Sequence, residues 1–295
     1  MREIKCVNNE NGLTLTFSED KFTPFLLASV DGVYKAENNV YTSENTMIDG
    51  STYQGTSAKM RNIVISLIAD PQGNFIYNQS DRDLLYSLFR KGEKGTLYYT
   101  ENDVTRKIDY YTESINRESK RSRLFTISLL CPNPLFKDET EHTESMANQL
   151  SMFEFLHEFS ADGEELAQRS SVRLVNIVND IAIDNIGLNI SITANGNVTN
   201  PSITRVESNE SLKLGTIAHP FYLVRGDVLN ITTAIGNKHV RLTRGGVTTE
   251  VNEYLTEDSE FIQLMFGNNN IAYDADNGVD YMVVDIKYSY EYEGA

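Results

Sequence analysis

The stretch "RLFTISLLCPNPLF", Arg123 to Phe136, decides how the chain is divided. It opens as a strand, with Phe125, Ile127, Leu129 and Cys131 alternating onto one face and Thr126 and Ser128 breaking up the other. Then Pro132 and Pro134 arrive close together. Proline lacks the N–H that a strand ladder uses, and it restricts the residue before it. The next segment, "KDETEHTESMANQ" (137–149), is polar and short of apolar anchors. A finished domain over 1–136, a linker over 137–149 and a second domain over 150–295 explain both features. The total of 295 residues suits two domains of about 100–200 residues each.

Outward from that point the pattern is mainly β. "LTLTF" (13–17) alternates cleanly, and "MRNIVISLI" (60–68) puts Ile63, Ile65 and Leu67 on one face with Val64 and Ile68 on the other, as in a strand covered on both sides. "GTLYYT" (95–100) and "VTRKIDYYTESI" (104–115) continue the series, and the polar turn "NRESKRS" joins the latter to the opening stretch as a long hairpin. One segment departs from it: "SDRDLLYSLFRKG" (80–92) predicts a helix. Ser80 and Asp83 have capping-box spacing, Leu84, Leu85, Leu88 and Phe89 form one stripe, and Gly92 supplies a stop. Asp81 and Asp83 suit the positive end of its dipole, Arg90 and Lys91 the negative end. Beyond the linker, "LSMFEFLHEF" (150–159) fits either a helix or an edge strand, with strand preferred. Turn signals at Asp162-Gly163, Asn195-Gly196, Gly226-Asp227, Gly245-Gly246 and Asn277-Gly278 then punctuate short strands, as in a β-sandwich. The closing "YMVVDIKYSY" (281–290) alternates.

The formal charge of −16 is unevenly placed. Residues 1–136 carry 16 Lys+Arg against 17 Asp+Glu, and residues 137–295 carry 10 against 25. The acidic second half should repel nucleic acid, whose binding draws on clustered Lys and Arg. No apolar run approaches the ~18 residues of a membrane span, and "MREIKCVNNENG" lacks the apolar core of a signal peptide, so a cytoplasmic site of synthesis is expected. Cys6 and Cys131, in the first and last strands of one domain, read as reduced buried thiols that could be neighbours.

Catalytic patterns are missing. His142, His157, His219 and His239 stand in unrelated contexts, with no nucleophile turn beside them. No Cys/His spacing suits zinc. Asp274, Asp276 and Asp280 in "DADNGVD" could converge on calcium, but the EF-hand glycine and glutamate positions are not matched, and an Asn-Gly turn explains the stretch. "RGGVTT" (244–249) has glycines but no following helix, so it reads as a turn. The absence of Trp weakens a lectin reading. No cofactor or metal is expected, and the chain does not read as an enzyme. The one basic cluster, Arg117, Lys120, Arg121 and Arg123 at the hairpin tip, is either a solvated turn or an electrostatic contact with a neighbouring subunit or partner.

The order of these pieces resembles the distal tail protein family of long-tailed bacteriophages. The resemblance rests on "RNIVISLI", "DRDLLYSLF", "KGTLYYT" and "LLCPNPLF" in the first half, and on "RGDVLNITTAIGNKHV" (225–240) and "FGNNNIAYDAD" (266–276) in the second. It implies a tail-tube-like β-sandwich with one flanking helix over 1–136, forming a hexameric ring, and a galectin-like β-sandwich over 150–295 projecting from it. It further implies a place in the virion tail tip after assembly in the host cytoplasm. There the ring would lie between the tail tube protein and the baseplate hub, DNA would pass through without specific binding, and receptor-binding or other peripheral proteins would attach outside. A closed ring needs a head-to-tail interface, for which the 104–130 hairpin is the expected source. The alternative is a carbohydrate-binding module that helps the particle adhere to the host cell wall.

Overall fold

The computed structural model describes residues 2–20, 25–44, 49–69, 79–117, 123–146, 149–151, 167–169, 173–180 and 185–295. They fall into two compact units, residues 1–139 with 291–295, and residues 140–290.

In unit 1 the strands are β1 (Arg2–Asn8), β2 (Thr14–Ser18), β3 (Phe25–Asp31), β4 (Asn38–Glu44), β5 (Ser51–Ala58), β6 (Arg61–Ala69), β7 (Lys94–Glu101), β8 (Val104–Arg117), β9 (Leu124–Cys131) and β10 (Phe136–Asp138), with helix α1 (Gln79–Leu88) between β6 and β7. One antiparallel sheet runs in the order β2-β1-β7-β8-β9-β6-β3. Its outer strands approach each other at Phe17 and Phe25, whose rings meet edge-on at 6.3 Å. The sheet thus curls around its own apolar face. Strict alternation drives this: Phe125, Ile127, Leu129 and Cys131 of β9 and Ile63, Ile65 and Leu67 of β6 are all fully buried. Helix α1 lies over the core through Leu85, Leu88 and Phe89, with the Phe89 ring 6.5 Å from Phe17 and 5.9 Å from Tyr110. Ser80 sits inside the first turn rather than at the cap, since the helix begins at Gln79. At the other end Asn11 Nδ2 donates to the Ser87 carbonyl and Asn8 Nδ2 to that of Leu88, each at 3.0 Å, closing carbonyls that a helix leaves open.

The double proline makes a corner. β9 stops at Cys131, the Asn133 side chain accepts the Leu135 N–H at 3.1 Å, and Phe136 re-enters the core fully buried at the start of β10. The chain therefore stays in unit 1 through Glu139, past the boundary expected after Phe136. The same unit takes back Glu291–Ala295, where β26 (Glu291–Tyr292), the final strand of the chain, pairs with β10. Arg61, at the head of β6, binds these pieces together. Its guanidinium is buried beside the Phe136 ring and donates to the carbonyls of Pro134 (2.7 Å), Gly32 (2.6 Å), Tyr34 and Glu293. Arg106 donates to the Gly294 carbonyl and stacks 3.6 Å from the Tyr292 ring, and Ala295 N–H bonds to the Val33 carbonyl at 2.9 Å.

In unit 2 the chain forms β11 (His142–Met146), β12 (Gln149–Ser151), β13 (Ala167–Arg169), β14 (Leu174–Asn179), β15 (Ile186–Gly187), β16 (Asn189–Ala194), β17 (Val198–Arg205), β18 (Glu210–Lys213), β19 (Tyr222–Leu223), β20 (Val228–Thr232), β21 (His239–Arg244), β22 (Val247–Glu250), β23 (Gln263–Leu264), β24 (Gly267–Asn277) and β25 (Met282–Tyr288). A six-stranded sheet, β11-β25-β16-β20-β21-β22, and a five-stranded one, β14-β24-β17-β18 with β19 on β17, enclose a single core. This is a β-sandwich, and the molecule is mainly β, as its alternation predicts. Residues 137–149, expected as a linker, instead hold the end of β10 and all of β11, an edge strand paired with β25 from His142↔Tyr288 to Met146↔Val284. Only Met146 of β11 is buried, so the strand has no apolar alternation to reveal it. Of "LSMFEFLHEF", Leu150 and Ser151 lie in β12, and residues 152–159 fall outside the described residues, as do Asp162-Gly163. Unit 1 has 17 Lys+Arg against 21 Asp+Glu and unit 2 has 9 against 21, so the acidity belongs mostly to unit 2.

Candidate subunit-contact surfaces

The hairpin of β4 and β5 stands outside the larger sheets. Its two strands pair with each other from Asn38↔Ala58 to Glu44↔Ser51 and, among the described residues, with no other strand. Val40, Tyr41 and Tyr53 are 60%, 53% and 63% exposed. Local bonds hold the arm in shape: Gln54 Nε2 donates to Ser43 Oγ at 2.8 Å, the Tyr53 and Thr56 hydroxyls meet at 2.6 Å, and Lys59 Nζ pairs with Glu37 at 3.1 Å at its base. A two-stranded hairpin alone in water is marginally stable, and this one offers apolar side chains and free backbone edges together. The sequence gives little warning of it, because "NNVYTSE" and "STYQGTSA" show no buried alternation; the signal is a run of Ser, Thr, Asn and Tyr with few charges.

A second open edge lies on the hairpin expected to carry the contact. β8 and β9 are interior strands for most of their length, but 112–116 of β8 extends beyond the reach of β7 and, among the described residues, pairs as a strand with β9 alone. Two members of the basic cluster lie at this end. Arg117 sits 5.5 Å over the Phe125 ring and Arg123 is exposed just before β9. Lys120 and Arg121 lie outside the described residues.

The remaining sequence candidates separate rather than converge. His142 stacks on Tyr288 at 5.3 Å and tilts against Tyr290 at 5.0 Å, His239 is 3.2 Å from Glu250, His219 is on an exposed loop, and His157 lies outside the described residues. Asp276 is taken by Lys213 at 2.7 Å and Asn200 at 2.8 Å, Asp280 by Arg173 at 3.1 Å, and Asp274 accepts the Ala275 N–H. No group of three or more His, Cys, Asp or Glu among the described residues could hold a metal. Gly278, at φ 77°, makes the turn after Asn277, and a Cβ there would stand 2.0 Å from the Asn197 carbonyl oxygen. Gly245 and Gly246 turn β21 into β22. Cys6 and Cys131 are both free and fully buried in one core, with burial pushing the Cys131 thiol up to about 12 and Cys6 higher still.

The two second-half segments that carry the resemblance serve the sandwich itself. In "RGDVLNITT" Asp227 is buried, accepts the Val224 N–H at 2.9 Å and is gripped by Arg244 at 2.6 Å. The Arg244 guanidinium holds its carboxyl below the usual range. In "FGNNNIAYDAD" buried Asn269 accepts the Met265 N–H at 2.8 Å and donates to the carbonyls of Met265, Gly267 and Ile177.

The family model of the phage tail protein RIFT-related domain matches residues 10–131, all within unit 1. Among solved structures, the chain shares its fold with the SPP1 Dit (gp 19.1) protein, at 13% identity and a TM-score of 0.66 over 98% of this chain and 99% of that one. It also matches a chain of the phage P2 baseplate in its activated conformation with Ca, at 8% identity and a TM-score of 0.53 over the full length of both. No curated protein matches by sequence. The family match is to a phage tail domain over part of unit 1, and the structural matches agree with the fold that the resemblance implies.

Proposed function

We propose that the chain is a structural component of a phage tail tip or baseplate, a virion protein that works by assembly and not by catalysis. Unit 1 forms a hexameric ring that joins the tail tube to the baseplate hub, DNA passes through the ring without specific binding, and unit 2 presents the acidic sandwich to peripheral or receptor-binding proteins. The observation that carries this reading is the β4–β5 arm, whose Val40, Tyr41 and Tyr53 are uncovered and whose outer edges pair with no other strand among the described residues. A head-to-tail ring needs two different patches per subunit, and the arm and the 112–116 edge of β8, beyond the reach of β7, are such a pair. Arg117, Lys120, Arg121 and Arg123 are assigned to a contact with a neighbouring subunit or partner. The small charge excess of unit 1 permits close packing of copies, while the larger one on unit 2 keeps outer lobes apart. The comparisons do not favour the carbohydrate-binding alternative.

Mass measurement by light scattering and negative-stain imaging of the full chain test the proposal, alone and mixed with its tail tube partner. Rings are expected from the wild type, and only monomers when residues 39–57 are replaced by a short turn with circular dichroism otherwise retained. Wild-type monomers at high concentration, persisting with the tube partner present, would refute ring formation.

A further inference from the structure

Three Asn-Gly dipeptides punctuate the chain, at Asn11-Gly12, Asn195-Gly196 and Asn277-Gly278, and all three asparagines are exposed. Such a pair carries chemistry of its own, and asparagine is among the thermolabile residues of proteins. The glycine nitrogen attacks Cγ of the asparagine side chain, with no glycine Cβ to obstruct the approach. Base removes the glycine N–H proton, an N–Cγ bond forms, and the Cγ–Nδ2 bond breaks with loss of ammonia. Water then opens the cyclic imide at either carbonyl and leaves aspartate or isoaspartate. One water is consumed and one ammonia released, with no change of oxidation state. The reaction needs a carboxamide free to turn and a glycine N–H free to give up its proton.

The fold separates three sites that share one dipeptide. At the first, Gly12 N–H donates to the Asn8 carbonyl at 2.9 Å, Asn11 Nδ2 donates to the Ser87 carbonyl at 3.0 Å, and Asn11 Oδ1 accepts the Leu13 N–H at 2.8 Å. Both reacting groups are therefore tied. At the other two, neither carboxamide bonds to a described residue, and neither glycine N–H donates to one. These two sites share one corner of the sandwich. Asn195 N–H donates to the Tyr281 carbonyl at 2.8 Å, and Tyr281 N–H donates to the Gly278 carbonyl at 2.9 Å. The Tyr281 ring lies against Gly196 and the Asn197 carbonyl against Gly278, so close that a Cβ would stand 2.6 Å and 2.0 Å away. The corner is thus fixed by its backbone, while both carboxamides stay unbound.

From this geometry we infer that Asn195 and Asn277 are sites of spontaneous deamidation in the folded chain, and that Asn11 is protected. Each conversion adds a carboxylate to a unit with 9 Lys+Arg against 21 Asp+Glu, and isoaspartate at 277 lengthens the backbone beside the closely fitted Gly278. Neither site depends on what unit 1 assembles into. The test ages the full chain in warm, mildly alkaline buffer made with heavy-oxygen water, once folded and once unfolded in urea. Peptide mapping by mass spectrometry with electron-transfer fragmentation then follows each site, counting the solvent oxygen gained and separating aspartate from isoaspartate. In urea the three sites react at similar rates. In the folded chain Asn195 and Asn277 convert at least about tenfold faster than Asn11, where three hydrogen bonds must open first. The ratio of folded to unfolded rate at each site removes any effect of neighbouring sequence. Folded-state conversion of Asn11 as fast as that of the other two, or folding slowing Asn195 or Asn277 as much as it slows Asn11, would overturn the inference.

Discussion

Replacing Arg61 with Met should cost unit 1 about 3–5 kcal/mol. Arg61 is buried and serves four carbonyl acceptors, on Gly32, Tyr34, Pro134 and Glu293, which belong to three separated stretches of chain. Methionine keeps much of the stem and its packing on Phe136 but leaves those carbonyls without a donor. A charge-assisted bond is worth about 1.5–3 kcal/mol, and a buried acceptor left alone costs about 1–3 kcal/mol. The full sum is not reached, because part of the cost of burying the cation is recovered and the loops can relax toward water. Burial already holds the Arg61 pKa below its ordinary value, the sign of that desolvation cost. Lysine should recover only part of the loss, since one ammonium cannot span acceptors arranged around a planar fork. Urea unfolding with hydrogen exchange read by mass spectrometry checks this. Protection should fall in β6, in the segment around Gly32 and in residues 291–295, while β16 and β25 are unchanged. A change under 1 kcal/mol, or loss of protection spread evenly over both units, would refute the reasoning.

Three further outcomes follow from particular contacts. Asp227 has a folded pKa held low, first by Arg244, so its contribution is present above the ordinary carboxylate pKa of about 3.9 and is lost as pH falls through the folded value. Acid titration of unit 2 should therefore show destabilisation below about pH 4, and Asp227→Asn should flatten that limb while lowering stability at neutral pH. Gly278→Ala should cost unit 2 more than about 1 kcal/mol by thermal unfolding, since the site is left-handed and the Asn197 carbonyl occupies the space of the new methyl. Tyr110→Phe should leave unit 1 as stable or raise its stability by about 1 kcal/mol, because the buried hydroxyl faces Cys6 and has no nitrogen or oxygen partner. A loss of similar size would show that the hydroxyl is needed.

The core of both units was readable wherever apolar residues alternate. β6 and β9 bury the residues their pattern selects, and α1 buries Leu85 and Leu88 from the expected stripe, with Phe89 buried just past its end. What escaped was polar. β11 hides in "HTESM" because an edge strand needs backbone partners more than apolar ones. The arm of β4 and β5 escaped for the opposite reason, that no other strand among the described residues pairs with it and nearly all of it is exposed, so it has no inner and outer face to distinguish. The reach of Arg61 to carbonyls up to 232 residues away leaves no mark in the sequence, since every residue type supplies the acceptor. The prolines signalled a change of direction correctly; that the chain turned back into the same core was decided by Phe136.

Because unit 1 reclaims Glu291–Ala295, the acidic sandwich is spliced into its neighbour at two joints, near 139/140 and 290/291. A protease that nicks one joint leaves the lobe attached by the other, and release requires both cuts. The same arrangement makes the sandwich a replaceable cassette: a foreign domain with adjacent termini could be grafted between the joints while the Arg61 and Arg106 contacts to the returning strand stay in place.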